Sequence, residues 1–290
     1  MSYLEAVILG IVQGVFMFVP VSSTAHLVLT QHLMIRAGSD LPAPESAEMI
    51  LFDLVVHVGT LVSIAIIFRN SLSALTRASA TEAMAMARRA PGGRPFLWLM
   101  LMGVITVGVT GVLGLALRRY FETVFAAPQV IAITLSITAV LLFVTDRLGR
   151  RPLGVKDIGP RIAIVIGLAQ VLALIPGISR SGMTIIAGLF AGLKRRWAAE
   201  YSFLVALPTI LAASLVQGRD VLMGDGLGGV GLGPLLVGFV VAAAVGTLAL
   251  KLVLVLLFRA QLKVFSVYLL LLAGGVAFGF LDDIMYGAHP

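Results

Sequence analysis

Ser23 and His26 stand three residues apart in a stretch that also holds Gln13, Pro20, Ser22 and Thr24, and a second stretch holds Gln170, Pro176, Ser179, Arg180, Ser181 and Thr184. If a helix resumes after Pro20, Ser23 and His26 share a face, and an imidazole there can activate a hydroxyl nucleophile. His26 could instead attack phosphorus itself; the residue types leave that choice open. Arg180 offers a planar, permanently charged fork that suits a phosphate. A guanidinium in apolar surroundings is costly unless it faces a cavity or a partner. Ser179, Ser181 and Thr184, with backbone N–H groups at a helix start, would complete an anion cradle. The plainer alternatives are that Arg180 reaches the surface or pairs with Glu200, and that the serines cap helices while His26 makes one bond inside a bundle. A hydroxyl cluster recurring in two apolar stretches favours the anion site.

Asp53 and His57 lie four apart, on one face of the apolar segment that follows. Asp53 could hold a divalent cation, Mg²⁺ or Ca²⁺, that grips a phosphate in turn, or it could pair with Arg180. Glu200 occupies the comparable place in the other half and is expected to cap a helix beginning near Arg196. His32 and His289 carry no comparable signal.

These residues have to be positioned inside a membrane. The chain is 59% hydrophobic and only 12% charged, where soluble domains carry roughly a quarter charged residues. It has no cysteine, which excludes disulfides and thiolate metal sites. The net charge of +7 falls in short clusters between apolar runs, so it reads as a topology signal beside anionic headgroups and not as a nucleic-acid surface. No Lys or Arg precedes Arg36, so the first apolar segment is expected to stay uncleaved.

Six apolar runs predict crossings at residues 49–68, 96–117, 128–144, 198–217, 235–258 and 264–280, all helical because lipid offers the backbone no partner. The two polar stretches, residues 3–34 and 162–193, are each two half-length apolar runs split by proline and hydroxyls. They predict re-entrant hairpins. With both hairpins returning to their own side, the basic residues of 69–94, 147–161, 194–196, 259 and 263 fall on one face, the cytoplasmic one. Arg118, Arg119, Asp282 and Asp283 fall on the other. The predicted architecture is an all-α polytopic membrane protein with an inverted-topology repeat, residues 1–125 against 126–290, and a surface helix within 69–94.

Residues 20–26, Pro-Val-Ser-Ser-Thr-Ala-His, and 176–184, Pro-Gly-Ile-Ser-Arg-Ser-Gly-Met-Thr, resemble the signatures of the undecaprenyl pyrophosphate phosphatase family, also known as bacitracin-resistance proteins. Phe52-Asp53, His57-Val58-Gly59-Thr60 and Glu200-Tyr201-Ser202-Phe203 extend the similarity from about Leu9 to Leu215. The resemblance implies an enzyme of the bacterial inner membrane that removes the terminal phosphate of a polyprenyl pyrophosphate and regenerates the carrier lipid of cell-wall polymers. It also implies a divalent cation and roles for Ser23, His26, Arg180 and their hydroxyl neighbours. The lipid and the membrane are the expected partners, no nucleic acid is, and a homodimer is compatible.

The chain departs from the family at one point. Two positions four apart before the Pro-Ser-Ser segment are acidic or amide in the family, the second being glutamate; here they are Gln13 and Met17, with an atypical Phe16 beside them. A thioether carries no negative charge and moves no proton. Two other functions therefore stand beside the phosphatase: a paralogue that binds or translocates polyprenyl pyrophosphate without cleaving it, and an ion path through Asp53, His57 and Glu200. Fixed positive charge at Arg180 speaks against the last.

Overall fold

Ser2 opens the first helix with a capping box: its hydroxyl accepts the Glu5 N–H, and the Glu5 carboxylate accepts the Ser2 N–H. The same device recurs where helices must start inside an apolar chain. Ser46 accepts from Met49 at the start of the third helix, and Ser179 accepts from Gly182 at the start of the eighth. Glu82 does it across elements, taking the Phe96 and Leu97 N–H groups that open the fifth helix.

The computed structural model describes residues 1–124, 128–175, 177–223 and 231–278, with the side chains of 118–124, 128–129 and 220–223 excepted. Pro176, the loop cations Arg118 and Arg119, the acids Asp282 and Asp283, and His289 therefore lie outside what is described. Among the described residues there are eleven α-helices: α1 (Tyr3–Phe16), α2 (Ser23–Arg36), α3 (Ala47–Ile67), α4 (Arg69–Ala87), α5 (Pro95–Val124), α6 (Pro128–Asp146), α7 (Pro160–Leu172), α8 (Arg180–Phe190), α9 (Arg195–Met223), α10 (Leu232–Phe258) and α11 (Lys263–Ala277). A single bridge between Leu153 and Leu193 is the only β-type pairing among them. The chain is all-α.

Four helices are long and apolar enough to cross a bilayer: Ala47–Ile67, Pro95–Leu117, Arg195–Arg219 and Leu232–Phe258. Their outward faces carry exposed leucine and valine, among them Val112, Leu115, Leu215 and Leu248. Such a surface is a liability in water and ordinary against lipid. The protein is a multi-pass membrane protein. The runs expected at 128–144 and 264–280 form shorter apolar helices, Val130–Asp146 and Lys263–Ala277, and these pack on each other. The segment expected to lie on the surface forms α4, a polar helix.

Both polar stretches break where they were expected to. α1 stops at Phe16, and α2 restarts at Ser23 after a kinked segment containing Pro20; α7 stops at Leu172, and α8 restarts at Arg180. Gly177 makes the second break feasible. Its φ of +87° lies in the left-handed region, and a Cβ there would run into the Thr134 hydroxyl and the Ile131 carbonyl. Each leading half-helix leans on a long helix through a glycine. Gly10 of α1 meets the Gly238 carbonyl of α10, and Gly167 of α7 meets the Thr106 carbonyl of α5, each 2.9 Å from where a Cβ would sit. Small residues permit this closeness, which is how helices associate where lipid is as apolar as leucine.

Candidate functional site

The two breaks meet. Ser181 on α8 donates to the Phe18 carbonyl in the first break (3.4 Å), and the Cβ position of Gly182 lies 3.1 Å from Pro20 Cβ. The N-termini of α2 and α8 consequently face one cavity of about 680 Å³, whose polar wall is made by Ser22, Ser23, Thr24, His26, His57 and Arg180. Two helix N-termini and a guanidinium give that wall positive character. The remaining wall is mostly apolar, with Leu29, Leu115, Leu135, Leu174, Val216 and Leu272 from six different helices or breaks, interrupted by Thr110, Thr209 and Gln217. Such a site takes an amphiphile, with an anionic head against the serines and Arg180 and a hydrocarbon tail along the leucines.

Arg180 occupies the first position of α8 and also walls a second, enclosed space of about 10 Å³ beside Met17, Gln170, Ser181, Thr184 and Ser202. The sequence-predicted anion set is thereby divided. Ser22, Ser23, Thr24 and Arg180 face the large cavity, whereas Ser181 and Thr184 face the small one. Ser179 is buried and serves as the α8 N-cap, and Thr184 donates to the Arg180 carbonyl (3.0 Å), so these hydroxyls fix the backbone that carries the guanidinium.

Met17 sits at the centre of the constellation. Its Sδ is approached by Gln13 Nε2 (3.5 Å), Arg180 Nη2 (3.6 Å) and the Ser23 hydroxyl (3.9 Å). Three donors converge on an atom that is only a weak acceptor. The Gln13 and Gln170 side chains, placed alike on α1 and α7, are both buried, and the Oε1 of each has no protein partner. Position 17 thus lies where a carboxylate would collect every surrounding donor.

His26 is buried, and both of its ring nitrogens are engaged away from Ser23. Nδ1 lies 2.7 Å from the Ser22 carbonyl and Nε2 2.5 Å from the Tyr268 hydroxyl on α11. Phe16 stacks on the imidazole, with centroids 4.0 Å apart. Ser23 and His26 share the cavity wall, as their spacing predicts, without a hydrogen bond between them. Tyr268 was not visible as a site residue from the sequence, because its contact spans 242 positions. The one available signal was a hydroxyl-bearing aromatic in the final apolar helix, in register with Leu272 and Val276, which line the cavity.

Asp53 stands apart from the cavity lining and accepts from Gln31 Nε2 (3.0 Å); it forms no ion pair with Arg180. His57 does reach the cavity, held by Nδ1 at 2.7 Å from the Asp53 carbonyl. Glu200 is buried and pairs with Arg196 (3.5 Å), one turn back on α9. Among the described residues no three His, Cys, Asp or Glu side chains gather. Ca²⁺ wants roughly six to eight oxygen ligands, whereas Mg²⁺ is commonly held by one or two carboxylates with substrate phosphates; among the described residues Asp53 brings one carboxylate, engaged with the Gln31 amide.

The chain has close relatives in sequence. A chain named "Undecaprenyl-diphosphatase" from Halorhodospira halophila is 55% identical over 279 residues, covering 96% of this chain and 97% of that one. One of the same name from Alkalilimnicola ehrlichii is 56% identical, covering 96% of each. A third, from Methanosphaera stadtmanae, is 34% identical over 92% of this chain and 94% of its own. The family model described as bacitracin resistance protein BacA matches residues 6–275, which takes in both breaks and the final helix that carries Tyr268. With the match spanning nearly the whole length, the chain belongs to the BacA bacitracin resistance family.

Proposed function

We propose that this protein hydrolyses undecaprenyl pyrophosphate, or a closely related polyprenyl pyrophosphate, to the monophosphate and inorganic phosphate. The observation that carries the reading is Arg180. It stands at a helix N-terminus on the wall of a half-apolar cavity, and no carboxylate among the described residues pairs with it. A half-buried guanidinium in apolar surroundings without a counter-ion is a costly thing to keep unless an anion visits. The shared name of relatives over half identical supports the same substrate.

In this reading the pyrophosphate lies between the α2 and α8 N-termini, with Arg180 and the hydroxyls of Ser22, Ser23 and Thr24 on its oxygens. The prenyl tail follows the apolar wall. Ser23 Oγ is the better placed nucleophile, because both nitrogens of His26 are already bonded. Its attack forms a Ser23 O–P bond and breaks the bridging P–O bond, so that the lipid monophosphate leaves. The serine proton passes to His26 Nε2 once the Tyr268 bond yields, and water then releases phosphate from the serine. Asp53, bonded to Gln31, is the acid that would serve a Mg²⁺ or Ca²⁺ arriving with the substrate's phosphates.

The same reading places the protein in the bacterial inner membrane. The pairs α1–α2 and α7–α8 serve as re-entrant hairpins: each is two half-length helices of 11–14 residues packed on each other across a break. With α6 and α11 the crossings number six. An inverted repeat is supported by the packing of α1 on α10 and α7 on α5, and by the pairing of α3 with α9 and α6 with α11. That pattern favours a division after α6 over one at residue 125. Asp146 meets Arg195 (3.6 Å) and the Lys263 N–H (2.7 Å), which supports one shared face for those basic residues, the cytoplasmic one.

Phosphate release from undecaprenyl pyrophosphate by the purified protein tests the proposal. A second reading, binding or translocation without cleavage, is favoured by Met17; tight lipid binding with no phosphate release would establish it instead. Met17→Glu should raise the hydrolytic rate about 10-fold, since a carboxylate among these donors restores a proton-transfer group. An unchanged rate would show that position 17 takes no part in the chemistry.

A further inference from the structure

Tyr268 and Phe16 enclose His26, and in the function proposed above the Tyr268 bond only has to yield. A carbonyl can only accept, so the 2.7 Å contact to the Ser22 carbonyl requires a proton on Nδ1. In the neutral ring Nε2 is then the acceptor, and the Tyr268 hydroxyl, 2.5 Å away, is its donor. Phe16 stacks on the imidazole at 4.0 Å and lies parallel to the Tyr268 ring, with centroids 6.5 Å apart. The ring is thus fixed at both nitrogens and on one face. Tyr268 belongs to the α11 stripe that continues through Leu272 and Val276 on the cavity wall, so its hydroxyl comes to the site from the last helix among the described residues.

We infer that Tyr268 is a positioning residue for His26: with the Ser22 carbonyl fixing the Nδ1–H tautomer, the Tyr268 hydroxyl donates to the unprotonated Nε2, holds the ring beside the cavity, and yields that nitrogen when substrate enters. The inference rests on the phosphatase reading for its kinetic consequence, but the tautomer exists without substrate. A ring held only by the Ser22 carbonyl could still rotate about its side-chain bonds; the second anchor removes that freedom. Because the anchor is on α11, the orientation of His26 couples the first broken helix to the far end of the chain.

The test has two arms. In ¹⁵N-histidine NMR of the substrate-free protein, with the His26 signals assigned by their loss in His26→Asn, the wild type should show the Nδ1–H tautomer. In Tyr268→Phe the Nε2 resonance should move and broaden as the ring samples other orientations. For phosphate release, Tyr268→Phe should lower kcat about 10-fold and leave KM within about 2-fold, the signature of a misplaced proton acceptor in place of a lost binding group. Tyr268→Gln, which keeps a donor, should recover part of kcat.

An Nε2–H tautomer in the wild type would overturn the inference, and that spectrum needs no Tyr268 variant to fold. Unchanged kcat and unchanged nitrogen shifts in Tyr268→Phe would overturn it as well. Should the wild type release no phosphate while His26 shows the stated tautomer, the phosphatase reading fails and the positioning of His26 stands.

Discussion

Arg180→Ala should lower kcat/KM for undecaprenyl pyrophosphate by about 10³-fold, in the upper range for removing a preorganised donor from a developing anion. The loss should appear in both constants, because the guanidinium meets the ground-state charge and the charge that grows as the bridging bond breaks. Arg180→Lys should recover little. A lysine is a point charge and cannot supply the fork that reaches both cavities from the first turn of α8. The helix should survive either change, since Ser179 still caps it and Thr184 still bonds the carbonyl of residue 180. Full activity in Arg180→Ala would mean that the anion sits elsewhere.

The second large effect is on folding. Gly177→Ala places a methyl group against the Thr134 hydroxyl and the Ile131 carbonyl at a φ of +87°. The left-handed backbone alone costs about 1–2 kcal/mol for a non-glycine residue, and overpacking adds about 1–3 kcal/mol. A total of about 3 kcal/mol should show as a clear fall in the thermal midpoint in detergent. Activity should fall further than stability does, because Arg180 is three residues away and moves with the break. Adding Thr134→Ala should return roughly the overpacking part and leave the backbone part. If Gly177→Ala unfolds like the wild type, the second break does not have the conformation described.

The positions of the two breaks could be read from residue chemistry. Pro20, the glycine at 177 and the flanking hydroxyls disfavour a continuous helix in an apolar run, and the helices do stop there. The cost of burying Arg180 singled it out for the same kind of reason. Its partners were a different matter. The convergence of Gln13, Ser23 and Arg180 on Met17 depends on how two breaks 163 residues apart nest together, which no local pattern encodes. Spacing placed Ser23 and His26 on one wall, but the imidazole found its partner on α11, because the tertiary neighbour offers a better donor than the serine one turn away. Face-sharing with His57 predicts that Asp53 turns toward the site; the packing turns it to Gln31 and leaves only His57 at the cavity.

The split between large and small cavities was equally hidden. Ser179, Arg180, Ser181 and Thr184 look alike in the sequence as anion ligands, yet helical geometry sends successive residues to different sides. Only Arg180, with its long side chain, borders both spaces. The serines of the first break stay on the open side because Ser22, at a φ of 69°, turns the chain before α2 begins. The asymmetry gives the halves of the repeat distinct work: the first supplies hydroxyls and an imidazole, the second supplies charge.

Everything chemical depends on the two breaks being in contact, and the natural absence of cysteine makes that directly measurable. Cysteines introduced as Pro20→Cys and Gly182→Cys, whose Cβ positions lie 3.1 Å apart, need only a few tenths of an ångström of relaxation to reach disulfide geometry. In native membranes the pair should cross-link nearly completely under mild oxidation. Two thiols that each react freely with a maleimide yet never join would mean that the breaks stand apart and no shared headgroup site exists.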